Sequence, residues 1–192
     1  STASAASVTG LAFISPIILL IKDHYNVSSN EVQLTITIYL VAICISQVFW
    51  GPLSDLIGRR VVLIIGASLF SLGGILSSLN LAFEVFVFFR FLQGVGAAAC
   101  LSMPRVMLTE SYGVKKAAAK MSTLLAFMAI FPILSAAFGG YIGENYGWQA
   151  NFLILFMFGC IVFSLNYAYS PETIKNKSKR LTFRTTFLDF RY

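Results

Sequence analysis

Two groups of residues that include charged side chains lie beside or within apolar runs and could do chemistry. In the first, Asp55 is followed by Arg59 and Arg60, and Gly51 and Gly58 flank the carboxylate. Glycine permits tight turns and close approach of helices. The Asp55 carboxylate can accept hydrogen bonds from amides at a helix N-terminus or from an arginine. This group therefore predicts a tight turn between two closely packed helices.

The second group contains Arg90, Gln93, Gly94 and Gly96. Arg90 follows Glu84 by six residues, about 9 Å along a helix. We expect an arginine at this depth to face the bundle interior or a water-filled cavity, with Gln93 on its own helix face. There it would bias the protonation of a nearby carboxyl. The alternatives are an arginine that extends to the outer interface or pairs with Glu84. The glycines predict close packing against another helix.

The composition requires a membrane around these groups. Hydrophobic residues make up 57% of the chain, charged residues 11%, and the mean hydropathy is +0.79, whereas soluble domains carry about 25% charged residues. At roughly 20 apolar residues per helical span, 192 residues allow about six crossings. We predict an all-α membrane protein with spans near 5–21, 33–50, 61–79, 85–107, 121–142 and 148–169.

Basic residues predict the orientation in the lipid bilayer. Eleven lysines and arginines fall on one side of the predicted membrane and only Lys22 on the other, so the first side is expected to be cytoplasmic and to hold both ends of the chain. Their positions beside apolar runs argue against nucleic-acid binding, despite the net charge of +6. Trp50 and Trp148, at predicted span ends, are expected to be interface anchors.

We expect a six-helix transmembrane bundle over residues 1–169 and the start of a basic cytoplasmic linker over residues 170–192, the whole being a fragment of a longer protein. No set of residues typical of an enzyme, a metal site or a cofactor site is present in the sequence. Tyr39, Gln47, Gln93 and Asn166 are the polar residues best placed to meet a small-molecule ligand inside the bundle, although each could equally bond a neighbouring helix.

The loop from Gly51 to Arg60 resembles the signature G-x-L-[AS]-D-x-x-G-R-[RK] of the major facilitator superfamily. The stretch from Trp50 to Asp55 is similar to its Bcr/CflA branch of drug/proton antiporters. The segment that starts at Arg90 resembles a second signature, R-x-x-Q-G-x-G-A-A. The resemblance implies the N-terminal half of a twelve-helix fold, completed by a missing C-terminal six-helix half, in the cytoplasmic (inner) membrane of a bacterium.

The same resemblance implies roles for charges at the cytoplasmic face. Arg105 and Glu110 are similar to the R-x-x-x-x-[DE] ending of helix 4 in this branch. With Asp55 they would form a charge network that latches one conformation. The alternative is a set of ordinary interfacial charges. Arg90 would belong to the part of the protein that couples transport to protons.

Two departures from the branch concern transport direction and the coupling ion. Pro132, Gly139 and Gly140 remain from the antiporter signature of helix 5, but Ala136 replaces its second proline. Helix 1 has no aspartate before Pro16, and none of the eight acidic residues lies in the middle of a predicted span. A proton carrier would then lie in the missing half, or coupling would use another ion.

The function favoured by the resemblance is secondary transport, with proton-coupled efflux of small amphipathic or cationic drugs. One alternative is a facilitator that takes up a sugar, an organic acid or another small metabolite. A second is a six-helix membrane component that assembles without transporting.

Overall fold

The structure, a computed structural model, describes residues 2–169, without the side chains of residues 2, 114–116 and 127. Within this part six helices are long and apolar enough to cross a membrane, and the secondary structure given for it contains no strand. The prediction of an all-α chain with six spans is confirmed, while the predicted linker over residues 170–192 lies outside the described residues. Spans 1 to 6 are Ala3–Tyr25, Ser29–Ile57, Arg59–Ser78, Phe83–Gly113, Ala117–Tyr146 and Trp148–Tyr169.

The ends of the spans follow from local backbone chemistry. Span 2 begins with a capping box, in which the Ser28 hydroxyl accepts from the Glu31 amide at 3.2 Å and the Glu31 carboxylate accepts from the Ser28 amide at 2.7 Å. These two bonds satisfy amides that have no partner within the helix. Spans 2, 4 and 5 end next to Gly58, Gly113 and Gly147, whose φ angles are 112°, 69° and 84°. Other residues rarely adopt such angles, so the helices stop there.

Span 1 is interrupted, although its sequence predicts a continuous helix. A helix over Thr2–Ala12 gives way to a 3-10 turn over Ser15–Ile17 before the helix Ile18–Tyr25. Pro16 lies in the 3-10 turn and has no N–H for a helical hydrogen bond. The span therefore changes geometry near its middle.

Span 4 packs closely against spans 2 and 3, because glycines let the neighbouring backbones approach. A Cβ atom built on Gly94 would lie 2.6 Å from the Tyr39 carbonyl oxygen of span 2, and one built on Gly73 of span 3 would lie 2.6 Å from Gln93 Cβ. Gly96 lies so close to the Phe70 amide of span 3 that a side chain has no room there. Between spans in lipid, such close packing supplies much of the association energy.

Both tryptophans lie inside the bundle, so the prediction that they are interface anchors is wrong. Trp50 is 7% exposed and its indole N–H donates to the Val95 carbonyl at 2.9 Å. Trp148 is 4% exposed and packs against Phe86 and Phe152. Sequence position did not separate the two environments, since lipid tails and a protein core are both apolar.

Candidate functional site

Arg90 is fully buried at the centre of the bundle, with 0% of its surface exposed. Glu84, its alternative partner in the sequence analysis, is exposed. The prediction that Arg90 faces the bundle interior is therefore confirmed for the six-helix unit, and the alternatives of an interfacial side chain or a pair with Glu84 are excluded.

The guanidinium of Arg90 contacts its own span and three others. It donates to the Gln93 side-chain oxygen one turn further along span 4 and reaches the Gly10 carbonyl of span 1 at 3.5 Å. Its central carbon lies 4.3 Å from the centroid of the Tyr39 ring of span 2 and 5.7 Å from that of Phe152 of span 6. Aromatic faces attract cations, and the attraction is stronger where water is excluded. We name these five residues the Arg90 centre.

The Arg90 centre is positively charged and incompletely paired. Arg90 Nε and Gln93 Nε2 are buried without a hydrogen-bond partner among the described residues. No aspartate or glutamate is buried in the part of the chain that the structure describes. Burying a cation without an anion is costly. The centre is therefore suited to bind and release an anionic group.

Contacts between spans 1 and 2 fix the position of Tyr39 in the Arg90 centre. Tyr39 is fully buried, and its hydroxyl donates to the Ser7 carbonyl at 2.7 Å. A Cβ atom on Gly10 would lie 2.6 Å from the same hydroxyl oxygen. Gly10 thus admits Tyr39 beside the backbone of span 1, and no motif in the sequence pointed to Gly10 or to Phe152 as part of the site.

A second group of charges lies where spans 2 and 4 end, which we name the basic end. Arg59 pairs with Asp55 four residues earlier and donates through Nε and Nη2 to one oxygen of Glu110 at 3.2 and 3.1 Å. It also donates to the Ser54 hydroxyl. The side chains of Arg59, Asp55 and Glu110 are 13%, 39% and 33% exposed. A single arginine therefore ties the turn between spans 2 and 3 to span 4.

Arg105 and Arg60 lie outside these ion pairs. The Arg105 guanidinium contacts the Met128 sulfur of span 5 at 3.7 Å, and its Nε has no hydrogen-bond partner among the described residues. Glu110 lies five positions after Arg105, so the two side chains point about 140° apart around an α-helix. The ion pairs at this end that involve Asp55 and Glu110 are therefore made by Arg59. Arg60 donates to the Tyr167 carbonyl at the end of span 6.

The glycines of span 5 lie against the interrupted part of span 1. A Cβ atom on Gly139 would lie 3.0 Å from the Phe13 carbonyl oxygen, and one on Gly140 would lie 3.4 Å from Pro16 Cβ. The Gly139 carbonyl accepts from the Asn151 side chain of span 6 at 2.9 Å. The helix continues through Pro132. These residues join spans 1, 5 and 6.

Three candidates for a substrate cavity do not come together. Tyr39 belongs to the Arg90 centre, and Gln47 lies on the exposed face of span 2. Asn166 is 9% exposed and donates to the Val162 carbonyl of its own helix at 2.7 Å. The three side chains therefore lie in different surroundings, and their role in a substrate cavity stays a prediction.

Six packed spans, each long and apolar enough to cross a membrane, define an integral, multi-pass membrane protein. The sequence profile of the Major Facilitator Superfamily matches residues 1–191. The chain belongs to this superfamily, as its signatures predicted.

Two similar proteins of known name are drug-resistance proteins. A bicyclomycin resistance protein homolog of Haemophilus influenzae is 28% identical over 171 residues, which cover 88% of this chain and 43% of the relative. The multidrug resistance protein MdtL of Escherichia coli O81 is 30% identical over 153 residues, which cover 80% of this chain and 39% of the relative. The chain thus spans about two fifths of the length of these relatives.

Solved structures of sugar symporters share the fold. A proton:xylose symporter bound to 6-bromo-6-deoxy-D-glucose matches with a TM-score of 0.76 and 18% identity, over 90% of this chain and 44% of that one. A D-xylose-proton symporter matches with a TM-score of 0.75 and 18% identity, over 98% of this chain and 51% of that one. At this identity the likeness concerns the fold alone.

Proposed function

We propose that this chain forms the N-terminal six-helix half of a secondary transporter that exports small amphipathic or cationic drugs in exchange for protons. The observation that carries the proposal is the Arg90 centre, a buried cation without a described carboxylate. The names of the two resistance proteins support export of drugs over uptake of nutrients. A second six-helix half would complete the transporter.

The proposed mechanism is competition between proton and drug for differently open states. A carboxyl group of the proposed second half, close to Arg90 in one state, would be held ionised by the guanidinium. Movement away from Arg90 in the other state would let it take up a proton. Because each ligand stabilises its preferred state, the proton gradient would shift the population and move the drug.

Arg59 would act as a latch at the basic end, which we propose to be cytoplasmic. Eleven lysines and arginines lie on this side in the sequence, as the positive-inside rule requires. Both ends of this chain would then lie in the cytoplasm of a bacterium, with the spans in its inner membrane. The ion pairs with Asp55 and Glu110 are partly exposed, so they can break and re-form at small cost.

The alternative of metabolite uptake draws on the sugar symporters only through their fold. An acidic residue facing Arg90 in the second half would favour drug/proton exchange, whereas polar and aromatic residues arranged around a sugar would favour uptake. The replacement of a signature proline by Ala136 leaves the direction of transport to experiment.

The test uses the full-length protein in everted membrane vesicles, with lumenal pH followed by a fluorescent dye while drugs are added. Addition of a substrate should release an established proton gradient, and Asp55→Asn or Arg90→Ala should abolish the release. Asp23→Asn, which changes an exposed carboxylate near the end of span 1, serves as the matched control for Asp55→Asn. Measurable drug binding or uptake without any pH response would refute proton exchange.

A further inference from the structure

Arg60 connects the turn between spans 2 and 3 to the end of span 6. Its Nη2 atom donates to the Tyr167 carbonyl at 2.5 Å, across 107 positions of the sequence. The central carbon of its guanidinium lies 6.0 Å from the centroid of the Tyr167 ring, a distance at which aromatic rings still attract cations. That ring stacks on Phe163 of the same helix. One residue of span 3 therefore contacts both the backbone and the side chain of Tyr167, two residues before the last residue of span 6.

The sequence explains why the Tyr167 carbonyl takes its donor from another span. In an α-helix each carbonyl accepts from the amide four positions later, and the residue four positions after Tyr167 is Pro171. Proline has no backbone N–H, so this helical hydrogen bond is ruled out by covalent structure alone. Arg60 supplies a hydrogen bond in its place. A cation near the end of a helix also interacts favourably with the dipoles of the last carbonyls.

The turn that contains Arg60 also holds span 4. Arg59, the preceding residue, donates to Glu110 of span 4 at 3.1 Å, while Arg60 donates to Tyr167 of span 6. Both arginines lie in the first turn of span 3, which begins at Arg59. Adjacent residues of one helical turn move together, so a displacement of this turn changes both contacts.

We propose that Arg60 is a positioning residue that couples the latch at Arg59 to the end of span 6. While the ion pairs of Arg59 are closed, Arg60 restrains Tyr167 and the last turn of the span, from which the chain continues into residues 170–192. When the ion pairs open, the turn moves and the end of span 6 gains freedom. The proposal rests on the proposed function only for the latch, since the contacts of Arg60 do not require transport.

Hydrogen–deuterium exchange of the full-length protein in lipid nanodiscs measures the freedom of the end of span 6. Backbone amides exchange through local opening, so the loss of a contact that restrains a helix end raises their rate. Arg60→Gln should raise the exchange rate of residues 165–169 by about fivefold, the effect of one hydrogen bond. Residues 148–152, at the other end of the same helix, are the internal control and should keep their rate. An unchanged rate at residues 165–169 would overturn the proposal.

A rescue variant tests the chemical reason for the contact. Pro171→Ala provides a backbone N–H four positions after Tyr167, which can donate to the same carbonyl. In the double variant Arg60→Gln/Pro171→Ala, the exchange rate of residues 165–169 should return to within about twofold of the unmodified protein. Pro171→Ala alone should not raise it. Exchange as fast in the double variant as in Arg60→Gln would show that Arg60 does not replace the missing N–H, and would overturn the proposal.

The coupling to the latch is tested from span 4. Glu110→Gln weakens the contact with Arg59, leaves Arg60 unchanged, and should raise the exchange rate of residues 165–169 by about twofold. The matched control is Glu84→Gln, which changes an exposed carboxylate at the other end of span 4 and should leave that rate unchanged. Equal rates in the two variants would contradict the coupling. None of these rates depends on drug or proton movement, so failure of the proposed transport function would leave this test intact.

Discussion

The arginine at the centre of the bundle and the arginine at its basic end have opposite surroundings. Arg90 is 0% exposed and has aromatic rings, one amide and one carbonyl around it. Arg59 is 13% exposed and has two carboxylates. Arg90 is thus buried without a described anion at the centre of the bundle. Arg59 is paired with two carboxylates at the basic end, where water is near.

An arginine can have a different role in each of these two environments. Pairs at the surface contribute about 0–1 kcal/mol, so the Arg59 network can open during a conformational change. A buried guanidinium is expensive to keep, and its retention in the core indicates a use for the charge itself. A tie that can open and a fixed charge are both consistent with the proposed alternating access and proton coupling.

The largest effect on stability is expected when the buried charge is removed. Arg90→Met replaces the guanidinium with a shorter apolar side chain and should raise the free energy of unfolding by about 1–4 kcal/mol, because apolar replacements of buried charges are often stabilising. A thiol-reactive dye in a thermal unfolding assay measures the midpoint. A midpoint several degrees below that of the unmodified protein would mean that the cation itself holds the spans together.

The next effect concerns the glycines beside each arginine. A Cβ atom on Gly94, near the Arg90 centre, would lie 2.6 Å from the Tyr39 carbonyl oxygen and 2.8 Å from Ala42 Cβ, whereas one on Gly51, near the basic end, meets nothing within 4 Å. Gly94→Ala should cost about 1–3 kcal/mol, since spans 2 and 4 must separate. Gly51→Ala is the control and should be neutral or stabilising by up to about 1 kcal/mol. Equal midpoints for the two variants would show that the centre is not tightly packed.

A smaller effect distinguishes the two contributions of Tyr39 to the centre. Tyr39→Phe removes the hydrogen bond to the Ser7 carbonyl but keeps the ring 4.3 Å from the guanidinium. We expect a loss of about 1 kcal/mol in thermal unfolding, with transport retained. Loss of transport in a stable Tyr39→Phe protein would instead place the hydroxyl in the coupling mechanism.

The smallest effect on stability is expected at the basic end. Arg59→Gln breaks both ion pairs but should change the free energy of unfolding by less than about 1 kcal/mol. Its effect should appear in conformation, as a change in the rate at which a thiol reagent labels a cysteine introduced near the basic end of the full-length protein. An unchanged labelling rate would show that Arg59 does not act as the latch.

Much of the fold could be predicted because membrane insertion simplifies the sequence pattern. The six apolar runs located every span, but span 2 extends to Ile57, beyond the predicted end at 50, through Pro52. Hydropathy does not detect polar helical turns at the membrane surface. Pro16 is a sequence signal for the break in span 1. The prediction followed the apolar composition instead.

The candidate site was less predictable, because it depends on contacts between distant residues. The expectation that the Asp55 carboxylate accepts hydrogen bonds from an arginine of the same turn came from residues only four positions apart in the sequence. The link from Arg59 to Glu110 joins residues 51 positions apart and needed the fold. Gly10 and Phe152 left no trace in the motifs, since a backbone carbonyl and an aromatic ring carry no signature of their partner.

The central claim is that Arg90 couples drug movement to protons. The direct measurement compares two modes of transport by the full-length Arg90→Met protein in liposomes: drug accumulation driven by a pH gradient, and exchange of labelled for unlabelled drug without a gradient. The account predicts that exchange persists while gradient-driven accumulation falls to the level of protein-free liposomes. Gradient-driven accumulation at the rate of the unmodified protein would contradict it.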